Sequence, residues 1–263
     1  MASAGLCSRR DAERWIADGR VMVNGETLTT PATLVGADDD VIVDGKRIKN
    51  TTQAARLFVY HKPAGLVVSH KDEQGRATVF AHLPKDLPRV ISVGRLDLDS
   101  EGLLLLTTSG ALARALELPS NAQERVYRAR IRGLPMETHF EQLERGVRID
   151  DVQYQPIDVS IERSKEGRNQ WLRLTLREGK NREIRRIFEH FDLPVSRLIR
   201  IQYGNFHLDD LAPEEVAEVP LADVMKLMKT LNVDSVPRVA SHGEPLAAGV
   251  SEAKGTRSPS RRK

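Results

Sequence analysis

The feature that most restricts the fold is a run of four leucines, residues 103–106, inside the segment GRLDLDSEGLLLLTTSG (residues 94–110). A short, unbroken apolar run bounded by turn-forming residues is typical of a strand buried on both faces. Three acids, Asp97, Asp99 and Glu101, precede it at alternate positions. Because a carboxylate is costly beside a buried core, these acids bind a metal ion, form a solvated turn, or include a chemical reagent.

The spacing of the acids argues against a metal site. Residues 97–102 match the opening of a calcium loop, but its twelfth position, which requires a bidentate glutamate, is Thr108. None of the seven histidines forms an H-E-x-x-H pair or a similar one. The segment EGKNRE also lacks the glycine and the hydroxyl residue of a phosphate-binding loop. We therefore predict neither a metal nor a nucleotide cofactor.

Among the three acids, Asp97 has the position of a functional residue. We interpret Asp99 and Glu101 as solvated turn residues. Asp97 lies between two leucines at the mouth of the predicted strand. A carboxylate there should be partly desolvated, so it needs a cationic partner to remain ionised.

The helix predicted after REGKN offers such a cation. Its apolar residues recur at positions i, i+3, i+4 and i+7, namely Ile184, Ile187, Phe188 and Phe191. At about 100° per residue, Arg185 falls on the flank of this buried face, whereas Arg182 and Arg186 should point to solvent. Arg185 is the arginine best placed to reach Asp97, although spacing alone favours an ion pair with Glu189 one turn later.

The periodicity along the chain predicts an α+β protein of two domains. Residues 1–48 begin with a helix opened by a Ser8–Asp11 capping box, followed by short strands with Asn-Gly and Asp-Gly turns. A polar linker, residues 49–56, leads to a larger domain, residues 57–228. There, strand-like and helical segments alternate in a way that suggests a mixed, largely antiparallel sheet with flanking helices. The segment LFVYHKPAGLVVS is predicted as strand, turn and strand. Residues 233–263, rich in Ser, Gly, Pro and Arg, are predicted to be a disordered basic tail.

Composition narrows the function classes. The chain has 263 residues, a formal net charge of +3 and one cysteine, and it lacks an apolar signal core or a membrane-length apolar run. A single cysteine excludes an intramolecular disulfide, so we expect a cytoplasmic protein. Arginines cluster in ERVYRARIRG and in GKNREIRRIFEHFDLPVSRLIR, as on a surface that binds the phosphates of nucleic acid.

The leucine segment resembles the signature of bacterial ribosomal-RNA pseudouridine synthases of the RsuA/RluB type. The similarity continues in order through HKPAG, ERVYRARIRG, NQWLRLTLREGKNREIRRIF and VSRLIRIQYG. The first domain resembles the alpha-L (S-four type) RNA-binding domain that precedes the catalytic domain in this family. The segment GRNQW is more similar to the large-subunit branch of the family than to the small-subunit branch. The chain opens where the family usually has another short helix, so we expect either that the assigned start is internal or that the first domain lacks a core element.

The resemblance implies an isomerase that detaches the base of one uridine, turns it and rejoins it through carbon, without metal or cofactor. It further implies a partner, ribosomal RNA or a pre-ribosomal particle, and we expect a monomer. A non-catalytic RNA-binding or ribosome-assembly factor, and a small-subunit enzyme, remain alternatives.

The resemblance also implies roles for individual residues. Asp97 corresponds to the family's nucleophile, Tyr127 to the tyrosine that stacks on uracil, and Arg185 to the basic residue that pairs with the aspartate. Arg95 corresponds to an arginine that holds the RNA helix open after the base has flipped out. The other residues expected to contact substrate or RNA are Ile184, Lys180, Arg9, Arg10 and Arg14.

Overall fold

A computed structural model describes residues 1–2, 4–36, 38–48, 54–162 and 169–233. The predicted tail from residue 234 onward and most of the predicted linker lie outside these residues. The helices are α1 (Arg9–Ala17), α2 (Val79–His82), α3 (Gly110–Glu117), α4 (Glu137–Arg145), α5 (Glu183–His190) and α6 (Leu221–Thr230). Within the described part of the chain, none of the helices is long and apolar enough to cross a membrane.

The strands form a small and a large sheet and one short hairpin. In the N-terminal region they are β1 (Val21–Val23), β2 (Glu26–Thr27), β3 (Val41–Val43) and β4 (Lys46–Arg47). The following strands are β5 (Leu57–Lys62), β6 (Ile91–Ser92), β7 (Glu101–Thr107), β8 (Arg125–Arg132), β9 (Arg148–Ile149) and β10 (Val152–Gln153). The last are β11 (Asp158–Glu162), β12 (Asn169–Leu176), β13 (Val195–Tyr203), β14 (Phe206–His207) and β15 (Val216–Glu218).

The N-terminal region folds as its local signals predict. Helix α1 begins at a capping box in which Ser8 Oγ accepts a hydrogen bond from the Asp11 amide at 3.1 Å. The strands lie in the order β2-β1-β3-β4, and the Asn-Gly and Asp-Gly pairs make both hairpin turns with positive φ angles. The buried core consists of Ile16, Val21 and Val43. This core is small, so little apolar burial stabilises the region.

The large sheet confirms the α+β prediction. Its strands lie in the order β11-β12-β8-β13-β7-β5-β15, with β14 beside β13 and β6 beside β7. Only the β7–β13 pair is parallel among the described strands; the other pairs are antiparallel. The sheet is therefore mixed and largely antiparallel.

The leucine run forms the interior of this sheet, as predicted. All four leucines of β7 are fully buried, and they alternate between two core clusters on opposite sides of the sheet. Burying each leucine contributes roughly 1.5–3 kcal/mol. At the start of the strand, Gly102 has a φ of +102°, and an added Cβ would lie 2.2 Å from the carbonyl oxygen of Arg200 on β13. A glycine is required at that position because the two backbones approach too closely for a side chain.

The second strand predicted in LFVYHKPAGLVVS is wrong. In the part of this segment that follows β5, residues 63–69, the β pairing found in the structure is an isolated bridge between Val67 and Thr78. The physical reason lies in the sheet order: β5 is flanked by β7 and β15, so neither edge is free for a hairpin partner.

The two faces of the sheet differ in chemistry. On the front face, Tyr127, Ala129 and Ile131 of β8 pack with the apolar side of α5. Because side chains alternate along a strand, Arg128 and Arg130 of the same strand point to the back face.

Candidate active site

The segment that joins β6 to β7 carries two of the three acids. We call residues 97–100 the acid loop; the Ser100 amide donates to the Asp97 carbonyl at 3.1 Å, which closes it as a turn. The Asp97 side chain is 31% exposed, so it is partly desolvated yet reachable from solvent. Its neighbour Leu96 is buried in the front-face core. The predicted position of Asp97 at the mouth of a buried strand agrees with this geometry.

A fully buried lysine lies directly beneath the acid loop. Lys62 Nζ donates to the carbonyl oxygens of Ser100 at 2.8 Å, Pro63 at 2.9 Å and Leu98 at 3.4 Å. Burial lowers the pKa of Lys62 to about 8, against the opposing attraction of Asp99 and the other nearby acids. The lysine thus fixes the loop backbone through its carbonyl groups.

Lys62 was missed by the sequence reasoning, although the sequence contains a signal for it. The residue follows Phe58 and Tyr60 at alternate positions of β5, and both are buried. Strand alternation alone therefore places Lys62 on the buried side.

Arg185 reaches inward from α5, as predicted, but not to Asp97. Its guanidinium donates to the Asp99 carbonyl and to the Val195 carbonyl, both at 3.0 Å, and its Nε lies 3.3 Å from the Asp99 carboxylate. The side chain is only 12% exposed. The predicted ion pair between Arg185 and Asp97 is wrong, because the guanidinium is held against Asp99 instead. The alternative partner Glu189 is wrong for the same reason.

The cation nearest to Asp97 is instead Arg182, which was predicted to point to solvent. Its guanidinium lies 3.7 Å from the Asp97 carboxylate and 3.3 Å from that of Asp99. Arg182 is exposed, as predicted, but it also reaches the two acids, because it is not part of the regular helix. It is the residue before α5 and adopts a left-handed conformation with φ +50°, so helical periodicity does not set its direction.

Glu101 is not a solvated turn residue, contrary to the prediction. It is the first residue of β7 and is paired with Arg197 of β13 through two hydrogen bonds of 2.8 and 2.9 Å. The hydrogen bonds from Arg197 lower the pKa of Glu101 below its ordinary value. Asp99 does lie in the turn but is ion-paired rather than simply solvated.

Tyr127 and Ile184 complete the surroundings of the acid loop. Tyr127 is half-buried and packs against two core clusters, one that includes Leu96 and one that includes Ile184. Ile184 itself is buried on α5. The structure thus places the acid loop with its two guanidinium groups, the aromatic ring of Tyr127 and the aliphatic Ile184 on the same face of the sheet.

A buried acid supports the loop that precedes α5. We call residues 178–182 the basic loop. Glu183 Oε2 accepts from the Lys180 amide at 3.1 Å, whereas its Oε1 is buried without a hydrogen-bond partner among the described residues. Burial, reinforced by the nearby Glu178, raises the pKa of Glu183 to about 8. The sequence pattern did not predict this buried acid, because the segment EGKNRE is highly charged and gives no sign that its last residue is buried.

The other predicted RNA-contacting residues lie away from Asp97 or on the surface. Lys180 is ion-paired with Glu178, and its Nζ lies 5.8 Å from the centre of the Tyr154 ring. Arg95 is exposed beside the acid loop. On α1, Arg9 and Arg10 are exposed and Arg14 is ion-paired with Asp11.

The acids of this site form ion pairs with arginines and are not arranged around a common metal-ion position. Across the described ranges, no group of three or more His, Cys, Asp or Glu side chains is arranged to hold a metal ion. What the arrangement can supply is one accessible carboxylate, with guanidinium groups beside it and an aromatic ring on the same face.

Comparison with known proteins identifies the family. Residues 56–190 match the family described as RNA pseudouridylate synthase, and residues 1–41 match the S4 domain. A Rickettsia bellii protein described as an uncharacterized RNA pseudouridine synthase is 52% identical over 222 residues, which cover 83% of this chain and 94% of the relative. The ribosomal large subunit pseudouridine synthase B of Pseudomonas aeruginosa is 41% identical over 208 residues, covering 78% of this chain and 54% of that protein.

A solved structure shows the same fold. The crystal structure of a pseudouridylate synthase aligns with a TM-score of 0.60 at 23% identity and covers 86% of this chain and 96% of the other. The family models match the N-terminal S4 domain and most of the catalytic domain, and the relatives carry the same description. The chain therefore belongs to the RNA pseudouridylate synthase family and is an isomerase.

Proposed function

We propose that this protein isomerises a specific uridine of large-subunit ribosomal RNA to pseudouridine, with Asp97 as the nucleophile. The observation that carries the assignment is the accessible Asp97 carboxylate at the mouth of the buried strand, with Arg182 3.7 Å away and Tyr127 on the same face. The Pseudomonas relative, whose name specifies the large ribosomal subunit, supports the choice of RNA.

The reaction needs no external reagent, because the substrate and product have the same atoms. The bond between the sugar and the ring nitrogen of uracil breaks, the base turns, and a carbon of the ring bonds to the sugar. The proton on that carbon is released and a proton is gained at the freed nitrogen. Asp97 forms a transient covalent bond to the sugar or to the base, which divides one difficult step into two easier ones.

The neighbouring side chains have positioning roles in this proposal. Arg182 keeps negative charge on Asp97 favourable, and Arg185 fixes the loop through the Asp99 carbonyl. Tyr127 stacks on the uracil and takes or relays the carbon-bound proton, and Ile184 packs beneath it. The uridine must flip out of its stack to reach Asp97, and Arg95 holds the RNA open.

The N-terminal domain supplies non-specific RNA contacts in the same proposal. Arg9, Arg10 and Arg14 of α1 bind phosphates, while specificity comes from the shape of the RNA loop and the extruded base. We further propose that the enzyme acts as a monomer in the cytoplasm, on free RNA or a pre-ribosomal particle.

The test is the variant Asp97→Asn, which keeps the shape of the side chain and removes its charge. We expect pseudouridine formation to fall by at least about 10³-fold, as for the loss of an enzymic nucleophile, with RNA affinity within several-fold of wild type. Formation is measured by carbodiimide-stop sequencing of both ribosomal RNAs and by tritium release from labelled uridine. The matched control is Asp86→Asn, the same change at an exposed site, which should retain activity.

Each alternative predicts a different result. Normal turnover by Asp97→Asn would refute the nucleophile assignment. A wild-type protein that binds ribosomal RNA but forms no pseudouridine would be the non-catalytic factor, and modification confined to the small-subunit RNA would change the substrate.

A further inference from the structure

The back face of the large sheet carries a basic surface that the reaction at Asp97 does not use. Alternate residues of three neighbouring strands, β8, β12 and β13, project from this face. Their arginines form what we call the back-face arginine surface: Arg128, Arg130, Arg132, Arg173 and Arg197.

This surface contains a cavity of about 380 Å³. Arg128, Arg173 and Arg197 line it together with His61 and His207. Two isoleucines of β13 contribute to its wall. Donors on several sides of a concave site, with few acceptors among them, are suited to an anionic ligand.

The arginines are held in place without being neutralised as a group. Arg128 donates to both carboxylate oxygens of Glu162, and Arg197 donates to Glu101. Arg173 is exposed, and no carboxylate among the described residues lies within salt-bridge distance of it. Over the whole back-face arginine surface, five arginines against Glu101, Glu162 and Asp209 leave a net charge of +2, and three of these arginines line the cavity. The guanidinium groups of Arg128 and Arg197 are therefore preorganised, whereas that of Arg173 has no ion pair among the described residues.

An aromatic ring lies within the same surface. Trp171 of β12 is half-buried, and the guanidinium of Arg128 lies 4.9 Å from the centre of its ring. In the sheet, Trp171 is paired with Arg130 on one side and Glu162 on the other, which places it on the back face. Arginines interleaved with an aromatic ring are typical of surfaces that bind the backbone and bases of RNA.

We propose that the back-face arginine surface binds a phosphodiester segment of ribosomal RNA other than the loop that delivers the uridine to Asp97. This inference rests on the proposed function, because it assumes an RNA substrate. The sheet separates the two sites: Tyr127 faces the front and Arg128 the back. A nucleotide in the Asp97 cleft therefore cannot also contact the cavity, and a second segment of a longer RNA must reach around the edge of the sheet.

The decisive variant is Arg173→Glu, because within the described part of the chain Arg173 forms no ion pair whose loss would disturb the fold. We expect the Kd for a large-subunit ribosomal RNA transcript to rise about 10-fold at physiological salt. The slope of log affinity against log salt should become shallower by about one to two phosphate contacts. The Kd and turnover for a short stem-loop that the wild-type enzyme modifies should stay within about 2-fold.

Two further variants control for charge and for position. Arg145→Glu makes the same charge change on α4, where the side chain is 80% exposed outside this surface; it should leave the affinity for the long transcript near the wild-type value. Arg173→Lys keeps the charge and should keep the salt slope.

A fluorescence measurement provides an independent readout. The chain has two tryptophans, Trp15 and Trp171, so Trp15→Phe leaves Trp171 as the only one. The long transcript should change the emission of Trp171, whereas the short stem-loop should not.

The proposal is overturned if Arg173→Glu and Arg145→Glu bind the long transcript equally well. It is also overturned if Arg173→Glu weakens the short stem-loop as much as the long RNA, because the surface would then belong to the primary site. Neither result bears on the proposed function, which fails only if Asp97→Asn remains active or the wild type forms no pseudouridine.

Discussion

The acid loop and the basic loop face each other across the site, and each lies on a buried charge of the opposite sign to its own. Lys62 lies beneath the acids, and Glu183 lies beneath the residues that lead to Arg182. The two buried groups differ in how many of their polar atoms form hydrogen bonds. Lys62 donates to three carbonyl oxygens, whereas one oxygen of Glu183 has no hydrogen-bond partner in the part of the chain that the structure describes. Burial shifts both groups towards their neutral forms, and the three carbonyl dipoles around Lys62 offset part of the cost of its charge.

Burial favours the neutral form of both groups, and because one is a base and the other an acid, their pH dependences are opposite. The pKa of Lys62 is lowered from 10.5 to about 8, so the stability it contributes is fully present above about 10.5 and is lost as the pH falls through about 8. The pKa of Glu183 is raised from 4.5 to about 8, so its contribution is present below about 4.5 and is lost as the pH rises through about 8. Because both pKa values are about 8, single substitutions rather than a change of pH perturb the two loops separately.

The largest effect in this comparison is expected from Lys62→Met. Methionine fills the space but leaves the Pro63 and Ser100 carbonyls without their donor, so the acid loop loses its support. Turnover should fall on the order of 10²-fold, as for a catalytic group displaced by about 1 Å. The free energy of unfolding should fall by about 1–3 kcal/mol, measured by urea denaturation at pH 7. The exposed Lys71→Met is the control, expected within about 0.5 kcal/mol of wild type. Wild-type turnover by Lys62→Met would show that the lysine does not position Asp97.

A smaller and opposite effect is expected from Glu183→Gln. The amide cannot ionise and can donate to Glu178, so the variant avoids the cost of a buried negative charge at high pH. At pH 9 the variant should be more stable than wild type by about 1–3 kcal/mol, and this advantage should shrink towards pH 5. Urea denaturation across this pH range measures it. Glu144→Gln, on the exposed side of α4, should show no such trend. An advantage that is the same at pH 5 and pH 9 would mean that Glu183 does not titrate in this window.

The smallest effect is expected from Arg182→Ala. The guanidinium is 44% exposed and 3.7 Å from Asp97, so its attraction is screened by solvent and should be worth less than about 1 kcal/mol. We expect kcat/KM to fall about 3- to 5-fold with unchanged stability, and the loss to become smaller at high salt. Arg186→Ala, one turn further along on the exposed side of α5, is the matched control. An equal loss in both variants would assign the effect to general RNA affinity rather than to Asp97.

Short-range patterns predicted the elements well because each depends on neighbours within a few residues. The capping box at Ser8 and the Asn-Gly and Asp-Gly turns of the N-terminal region lie where the pattern placed them. The buried side of α5 followed from its 3.6-residue period. The exception, the strand expected after Pro63, failed because strand formation also needs a free edge, which only the sheet order decides.

The charged contacts of the site were predicted less well, because they join residues 83 to 97 positions apart. Helical periodicity put Arg185 near the acid loop, but the choice between Asp97 and Asp99 depends on how α5 is seated against the loop. Glu101 was read with its neighbours as part of a turn. Its pairing with Arg197 arises because β7 begins at Glu101 and lies parallel to β13.

What the sequence by itself determined is therefore the set of parts: the family, the helices and most strands, the buried leucine run, and Asp97 at its mouth. These follow from periodicity, turn chemistry and motif order, all of which are local or additive along the chain. Only the tertiary structure decided which guanidinium meets which carboxylate, that Lys62 and Glu183 lie beneath the two loops, and that the arginines of β8, β12 and β13 share one face. The physical reason is that charge pairing and burial depend on which strands become neighbours, and the sheet settles that order as a whole.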